Sequence, residues 1–248
     1  MPSTSSTRLR DDAGDAATLA DRIATLEHEL GRREDLDAIR ALQHAYGYFI
    51  DKGMYAETVD CFAEDGEVRF FGGVFRGRES VRRLYCDRFR ERFTHGKNGP
   101  IYGQLLDHMI MQDIVDVAAD RATAQGRFRC FLAGGAHAEC ANPTRQWWEG
   151  GLYENTYVRE DGVWKIKVLD YRPQWHATFE NGWAYTPHNF VPFFDTTFPD
   201  APEGPDALIP DPILWPETEV LPFHYAHPVT GKRIKTPKPG RAKGARKR

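Results

Sequence analysis

Four long strand-like segments, following one another between residues 105 and 171, constrain this chain more than any other feature. They run Leu105 to Val117, Ala122 to Leu132, Trp147 to Arg159 and Val163 to Tyr171. Ala118-Ala119-Asp120-Arg121 turns the first pair, an irregular insert around Gly134 to Arg145 parts the second, and Glu160-Asp161-Gly162 turns the third. Asp-Gly accepts the positive φ that a tight hairpin demands, so the last turn is a strong hairpin signal. Strands joined in succession by short turns make a β-meander.

Helical patterns precede the sheet. Leu19, Ile23, Leu26 and Leu30 form one apolar stripe from Thr18 onward, with another subunit or the body of the domain as its expected partner. Gly31 is expected to break this helix. A second helix then carries Leu36, Ile39, Leu42, Tyr46, Phe49 and Ile50 on its inner side and stops at Asp51-Lys52-Gly53. A short third helix follows from Met54 to Phe62. Glu67 to Phe71 reads as a strand that returns through Val74 and Phe75, and Glu79 to Arg92 reads as a helix. Helices first and a long antiparallel sheet second is an α+β layout, in which a curved sheet covers the helices and encloses a cavity.

Beyond Arg172 the prolines recur too often for periodic structure, with aromatics between them. Those aromatics would not be left in water, so this stretch is expected to be an extended arm packed on the body or on a neighbouring subunit. The net charge of −3 comprises +9 from Lys232 to Arg248 and −12 elsewhere. A nucleic-acid binder needs a basic folded body, and this body is acidic, so the tail is read as a solvated, disordered end. No segment has the apolar length of a membrane span or a secretory signal, so the expected location is cytoplasmic. Cys61, Cys86, Cys130 and Cys140 show no CxxC spacing and no adjoining histidine, so free and mostly buried thiols are expected, with no metal.

Three stretches carry a resemblance to a known family. They are Ala45-Tyr46-Gly47-Tyr48-Phe49-Ile50-Asp51 followed by Cys61-Phe62-Ala63-Glu64-Asp65-Gly66, then His108-Met109-Ile110 with Asp120-Arg121-Ala122-Thr123-Ala124, and finally Tyr157-Val158-Arg159-Glu160-Asp161-Gly162-Val163-Trp164. Together they resemble a SnoaL-like domain of the nuclear transport factor 2-like superfamily, over residues 35–175. The resemblance implies the α+β cone of that superfamily, a curved antiparallel sheet wrapped on helices, here with a long Pro- and aromatic-rich C-terminal arm. The expected organisation is a disordered 1–17, an N-terminal helix 18–34, the domain 35–175, the arm 176–231 and the basic tail 232–248. A homo-oligomer, dimer or trimer, is expected because such sheets pair back to back in this superfamily.

The family's scytalone and bile-acid dehydratases point to Tyr46, Asp51 and His108 as the catalytic set. A histidine oriented by an aspartate takes a proton near neutral pH, and a tyrosine hydroxyl binds the substrate oxygen. Arg78 and Lys97 are candidates to stabilise the developing oxyanion, and Tyr102 to reach the cavity mouth. Arg127 shares a strand face with Gln125 and Arg129, and either the pocket or the solvent fits that face. Glu154 and Asn155 take opposite faces, so at most one points inward. Trp147 is a candidate wall. Histidines 176, 188, 224 and 227 belong to the arm, where a capping role over the pocket is open.

The sequence lacks a P-loop, GxGxxG after a strand, GxSxG and HExxH. The expected activity is therefore that of a cofactor-independent lyase acting on a hydrophobic aromatic small molecule, with no nucleic-acid or membrane partner. Water is one leaving group. Formaldehyde is the other, because the aromatic load and the arm also resemble the diarylpropane and phenylcoumaran formaldehyde lyases. An isomerase or cyclase would use the same base. A non-catalytic binding module predicts instead that His108 and Asp51 do not meet, or that side chains fill the cavity.

Overall fold

The first helix does not break at Gly31. In the computed structural model, which describes residues 5–140, 145–186 and 193–241 (the side chains of 5–17 excepted), α1 runs unbroken from Ser5 to Asp51. Its glycine serves a neighbour. A Cβ built on Gly31 would lie 1.9 Å from the Arg121 guanidinium, which crosses the helix there to donate from Nε to Asp35 Oδ2 at 2.5 Å. Only glycine leaves room for that crossing. Over its N-terminal half, Leu19, Ile23, Leu26 and Leu30 stay exposed on this chain.

Gly53, at φ +65, ends α1 as expected. A short α2 (Tyr55–Asp60) leads into β1 (Phe62–Phe70) and β2 (Gly73–Arg76). The expected helix over 79–92 is α3 (Gly77–Arg82), a π-helical turn (Arg83–Phe89) and α4 (Arg90–Thr94) in continuity. The meander follows as β3 (Gln104–Val117), β4 (Thr123–Ala136), β5 (Gln146–Glu160) and β6 (Val163–Thr178). Asp161 and Gly162 both take positive φ in the last hairpin. Beyond it come α5 (Gly182–Tyr185) and β7 (Ala207–Leu208).

The sheet corrects the cone. Its seven strands run in the order β3-β4-β5-β6-β1-β2-β7, and it is neither closed nor strongly curled. Parallel pairing of β1 with β6 adds strands outward from the meander, and β7 extends that side further through Gly73 and Val74. The two edges, β3 and β7, therefore never meet. The architecture is a mixed α/β fold with a mainly antiparallel open sheet and helices packed against it.

A buried polar contact holds α1 to that face. Gln43 Oε1 accepts from the Tyr157 hydroxyl and from Asn155 Nδ2, both at 2.8 Å, and Asn155 Oδ1 accepts the Asp170 amide at 3.0 Å. Of the Glu154–Asn155 pair, Asn155 is thus the inward residue.

The segment after β6 stays on the body. Asp206 accepts from the Arg76 amide, Ser80 and Arg83, and Trp215 donates its amide to Gln174 O at 2.8 Å. Pro222 O accepts from Arg127 Nη2 at 2.7 Å. Of the basic tail, Gly240 bridges Thr218, and 242–248 lie outside the described residues. The four cysteines are free, and all but Cys140 are buried. No helix among the described residues is long and apolar enough to cross a membrane.

Replacing Gln43 by Leu keeps the volume but leaves the Tyr157 hydroxyl donor unpaired in the core, while Asn155 Nδ2 keeps its bond to that hydroxyl. Each such group costs about 1–3 kcal/mol. The variant is expected to lose about 1–3 kcal/mol of unfolding free energy, read from urea denaturation.

Candidate active site

His108 and Asp51 meet. Asp51 ends α1, and His108 sits on β3 with Leu106 and Ile110 on the same face. His108 Nδ1 lies 2.6 Å from Asp51 Oδ1, and the His108 amide donates to both carboxylate oxygens at 3.0 and 3.1 Å. The carboxylate thus holds the ring and its backbone together. With Nδ1–H donated to Asp51, the lone pair of the neutral imidazole resides on Nε2.

The imidazole lines a cavity of about 550 Å³ between the sheet, α1, the π-helical segment and the C-terminal arm. That volume suits a small organic ligand. Tyr46, Tyr85, Tyr153 and Tyr171 line it, and the Tyr46 and Tyr85 hydroxyls share a hydrogen bond of 2.9 Å. Burial holds all four phenols well above their ordinary range, so they stay protonated donors at neutral pH. Burial likewise pushes Tyr55, also on the wall, up to about 12. Phe193, Leu214 and Trp215 close the cavity from the arm.

Strand register adds two groups that the sequence reading did not place in the site. His108 opposes Leu132, Leu132 opposes Glu149, and Glu149 opposes His176, so the four share one row on the cavity face. Two strand spacings separate His108 from Glu149, roughly 10 Å at the backbone. The Tyr171 hydroxyl donates to Glu149 Oε1 at 2.6 Å, and Oε2 has no hydrogen-bond partner among the described residues. Burial raises the Glu149 pKa above the ordinary carboxylate range, against the lowering effect of Tyr171 and the His108 and Arg145 charges. Burial and then the Arg145 charge lower that of His176, favouring its neutral form. The available signal for Glu149 was its alternation with Trp147, two residues before it on the same strand face.

Of the other expected site residues, Trp147 lines the cavity. Arg78 pairs with Asp60 and Glu64 on the surface, Tyr102 is exposed and donates to Glu139, and Lys97 is an exposed loop residue. Arg127 pairs with Glu154 beneath the arm, stacked on Phe223 with 4.8 Å from its guanidinium carbon to the ring centre. None of these five is part of the cavity wall. His224 lies near Glu154 on that outer face, and His188 falls outside the described residues. No group of three or more His, Cys, Asp or Glu side chains among the described residues is arranged to hold a metal ion.

The family model of the SnoaL-like domain matches residues 31–170, more than half of the chain and the part that holds both Asp51 and His108. The chain belongs to the SnoaL-like family. No curated protein matches it. Among solved structures this SnoaL-like chain is similar to a type 2 hexachlorocyclohexane dehydrochlorinase, at 19% identity and a TM-score of 0.51, over 65% of this chain and 99% of that one. A type 3 enzyme of that name from Novosphingobium barchaimii LL02 is 20% identical, with a TM-score of 0.50 over 66% and 99% of the chains. A protein from Novosphingobium aromaticivorans DSM 12444, named provisionally as a scytalone dehydratase, gives 20% identity and a TM-score of 0.47 over 60% and 89%. At these identities the likeness concerns the fold.

Glu149 carries a pH signature. A carboxyl whose folded-state pKa is raised holds its proton more tightly in the folded chain. Its contribution to stability is full below the ordinary glutamate range and is lost as pH rises through the folded-state value. Relative to wild type, Glu149→Gln is therefore expected to gain stability as pH increases over that window, by about 1.4 kcal/mol for each pH unit by which folding raises the pKa. Paired denaturation curves at stepped pH measure the difference.

Proposed function

We propose that the cavity is the active site of a cofactor-independent lyase that eliminates water or formaldehyde from a hydrophobic aromatic small molecule. The observation that carries this reading is the His108–Asp51 pair on the wall of an open, tyrosine-lined cavity. A binding module in which the two residues stay apart, or in which side chains fill the space, does not fit that geometry.

In this mechanism His108 Nε2 removes the substrate proton, and Asp51 acts as a positioning residue that favours the imidazolium so formed. For dehydration the proton comes from carbon. The C–H electron pair becomes the new double bond, and hydroxide departs with a proton from the neutral carboxyl of Glu149. For deformylation the proton comes from a primary alcohol, and its oxygen forms the carbonyl of formaldehyde as the carbon–carbon bond breaks. The released pair forms the alkene and expels a neighbouring hydroxyl, again protonated by Glu149. Base and acid about two strand spacings apart leave room for the substrate between them. The Tyr46 and Tyr85 hydroxyls, kept protonated by burial, take the oxyanion-stabilising role first assigned to Arg78 or Lys97.

Metal-stripped protein incubated with aryl β-hydroxy compounds, diarylpropane diols among them, tests the reading. Ultraviolet absorbance reports new conjugation, and a trapping reagent reports formaldehyde. Conjugation with formaldehyde identifies deformylation, and conjugation alone identifies dehydration. His108→Ala and Asp51→Asn are each expected to lower the rate by roughly 10²–10⁴-fold. No conjugation across the panel, or activity unchanged in His108→Ala, sinks the proposal.

A further inference from the structure

The cavity wall holds two cations that the chemistry above leaves unused. Arg92 from α4 and Arg145, just before β5, both line it from exposed positions. Neither forms an ion pair with any carboxylate among the described residues, although most other described arginines of the domain do. The undescribed neighbours in sequence, 141–144 and 187–192, contain no Asp or Glu. Each guanidinium rests instead on an aromatic ring of the same wall. Arg145 lies over Trp147 at 4.9 Å and Arg92 over Phe193 at 5.9 Å.

A third arginine stands beside Arg92, with the Glu203 and Asp195 charges near it. Arg88 stands one turn before Arg92, buried against Phe193 and Phe194, and its Nε has no hydrogen-bond partner. The cavity's own acids do not balance these groups. Asp51 is committed to His108, and Glu149 is held toward its neutral form by burial. An aromatic cavity with two unpaired, ring-backed guanidinium forks matches a flat aromatic molecule that carries a planar anion.

We infer that Arg92 and Arg145 form an anion subsite of the cavity and that the ligand is an aromatic carboxylate. The inference rests on the cavity being the ligand site, as proposed above, and not on the reaction carried out there. Trp147 and Phe193 support the aryl portion, and the carboxylate lies toward the two arginines. Charge-assisted hydrogen bonds of this kind change affinity about tenfold or more.

Calorimetric titration of the full chain at pH 7.5 with 4-hydroxycinnamate, and separately with its uncharged methyl ester, tests the subsite. Wild type is expected to bind the carboxylate about tenfold more tightly or better, and the margin should shrink as salt is raised. Arg92→Gln and Arg145→Gln should each reduce the margin severalfold, and the double variant should abolish it while leaving ester affinity within about twofold. Arg145→Lys, which keeps the charge without the planar fork, should retain part of it. Thermal melting of each variant checks that the fold is intact.

His108→Ala separates this inference from the lyase reading, because it should keep the full preference for the carboxylate. A preference that holds without turnover of any substrate leaves the subsite standing and removes the lyase. Equal affinities for acid and ester, no binding of either, or a preference that survives the double substitution would overturn the subsite whatever the catalytic result.

Discussion

The carboxylate of Asp51 is the point on which the rest of the site depends. It sits in the last turn of α1, where the helix dipole disfavours a negative charge, and its side chain is nearly buried. An unpaired carboxylate there would be costly. His108 offsets that cost with its amide and its ring, and in doing so fixes β3 against the end of the helix. Because β4, β5 and β6 register on β3 in turn, one contact sets where Leu132, Glu149 and His176 fall relative to the imidazole. Fold and candidate chemistry therefore share an anchor.

The legible parts of the sequence were those with local causes. The four meander strands, the Asp161-Gly162 turn and the Gly53 stop all follow from patterns within a few residues, and all are present. Gly31 was misread because its reason lies 90 residues away in the Arg121 guanidinium. The open sheet was likewise invisible, since the parallel β1–β6 pairing joins segments about 100 residues apart. His108 and Asp51 were found through family motifs. His176 escaped first because the prolines beyond Arg172 ended the expected strand at Tyr171, whereas β6 runs on to Thr178, and second because β6 twice breaks strict alternation. Trp164 and Ile166 point inward, register shifts put Leu169 and Tyr171 inward, and a second shift returns His176 to the cavity face. Reading by period two cannot carry phase across such bulges.

Arg78, Lys97 and Arg127 show a second limit. A cation chosen by residue type carries no record of its partner, and two of these three are already paired with carboxylates. The informative arginines are those that folding leaves without an acid, a property of the assembled wall rather than of any motif.

The family match stops at residue 170, yet the cavity does not. His176, Thr186, Phe193, Leu214 and Trp215 all line it from beyond that point. The part that the SnoaL-like family shares thus holds His108, Asp51, Glu149 and three of the four buried phenols, whereas Tyr171 and the arm lie beyond it. Arm closure excludes water and lowers the local dielectric. Burial on the cavity wall raises the Glu149 pKa. The cavity is thus enclosed jointly by the shared domain and the segment beyond it, whereas Arg92 and Arg145 both lie within the family match.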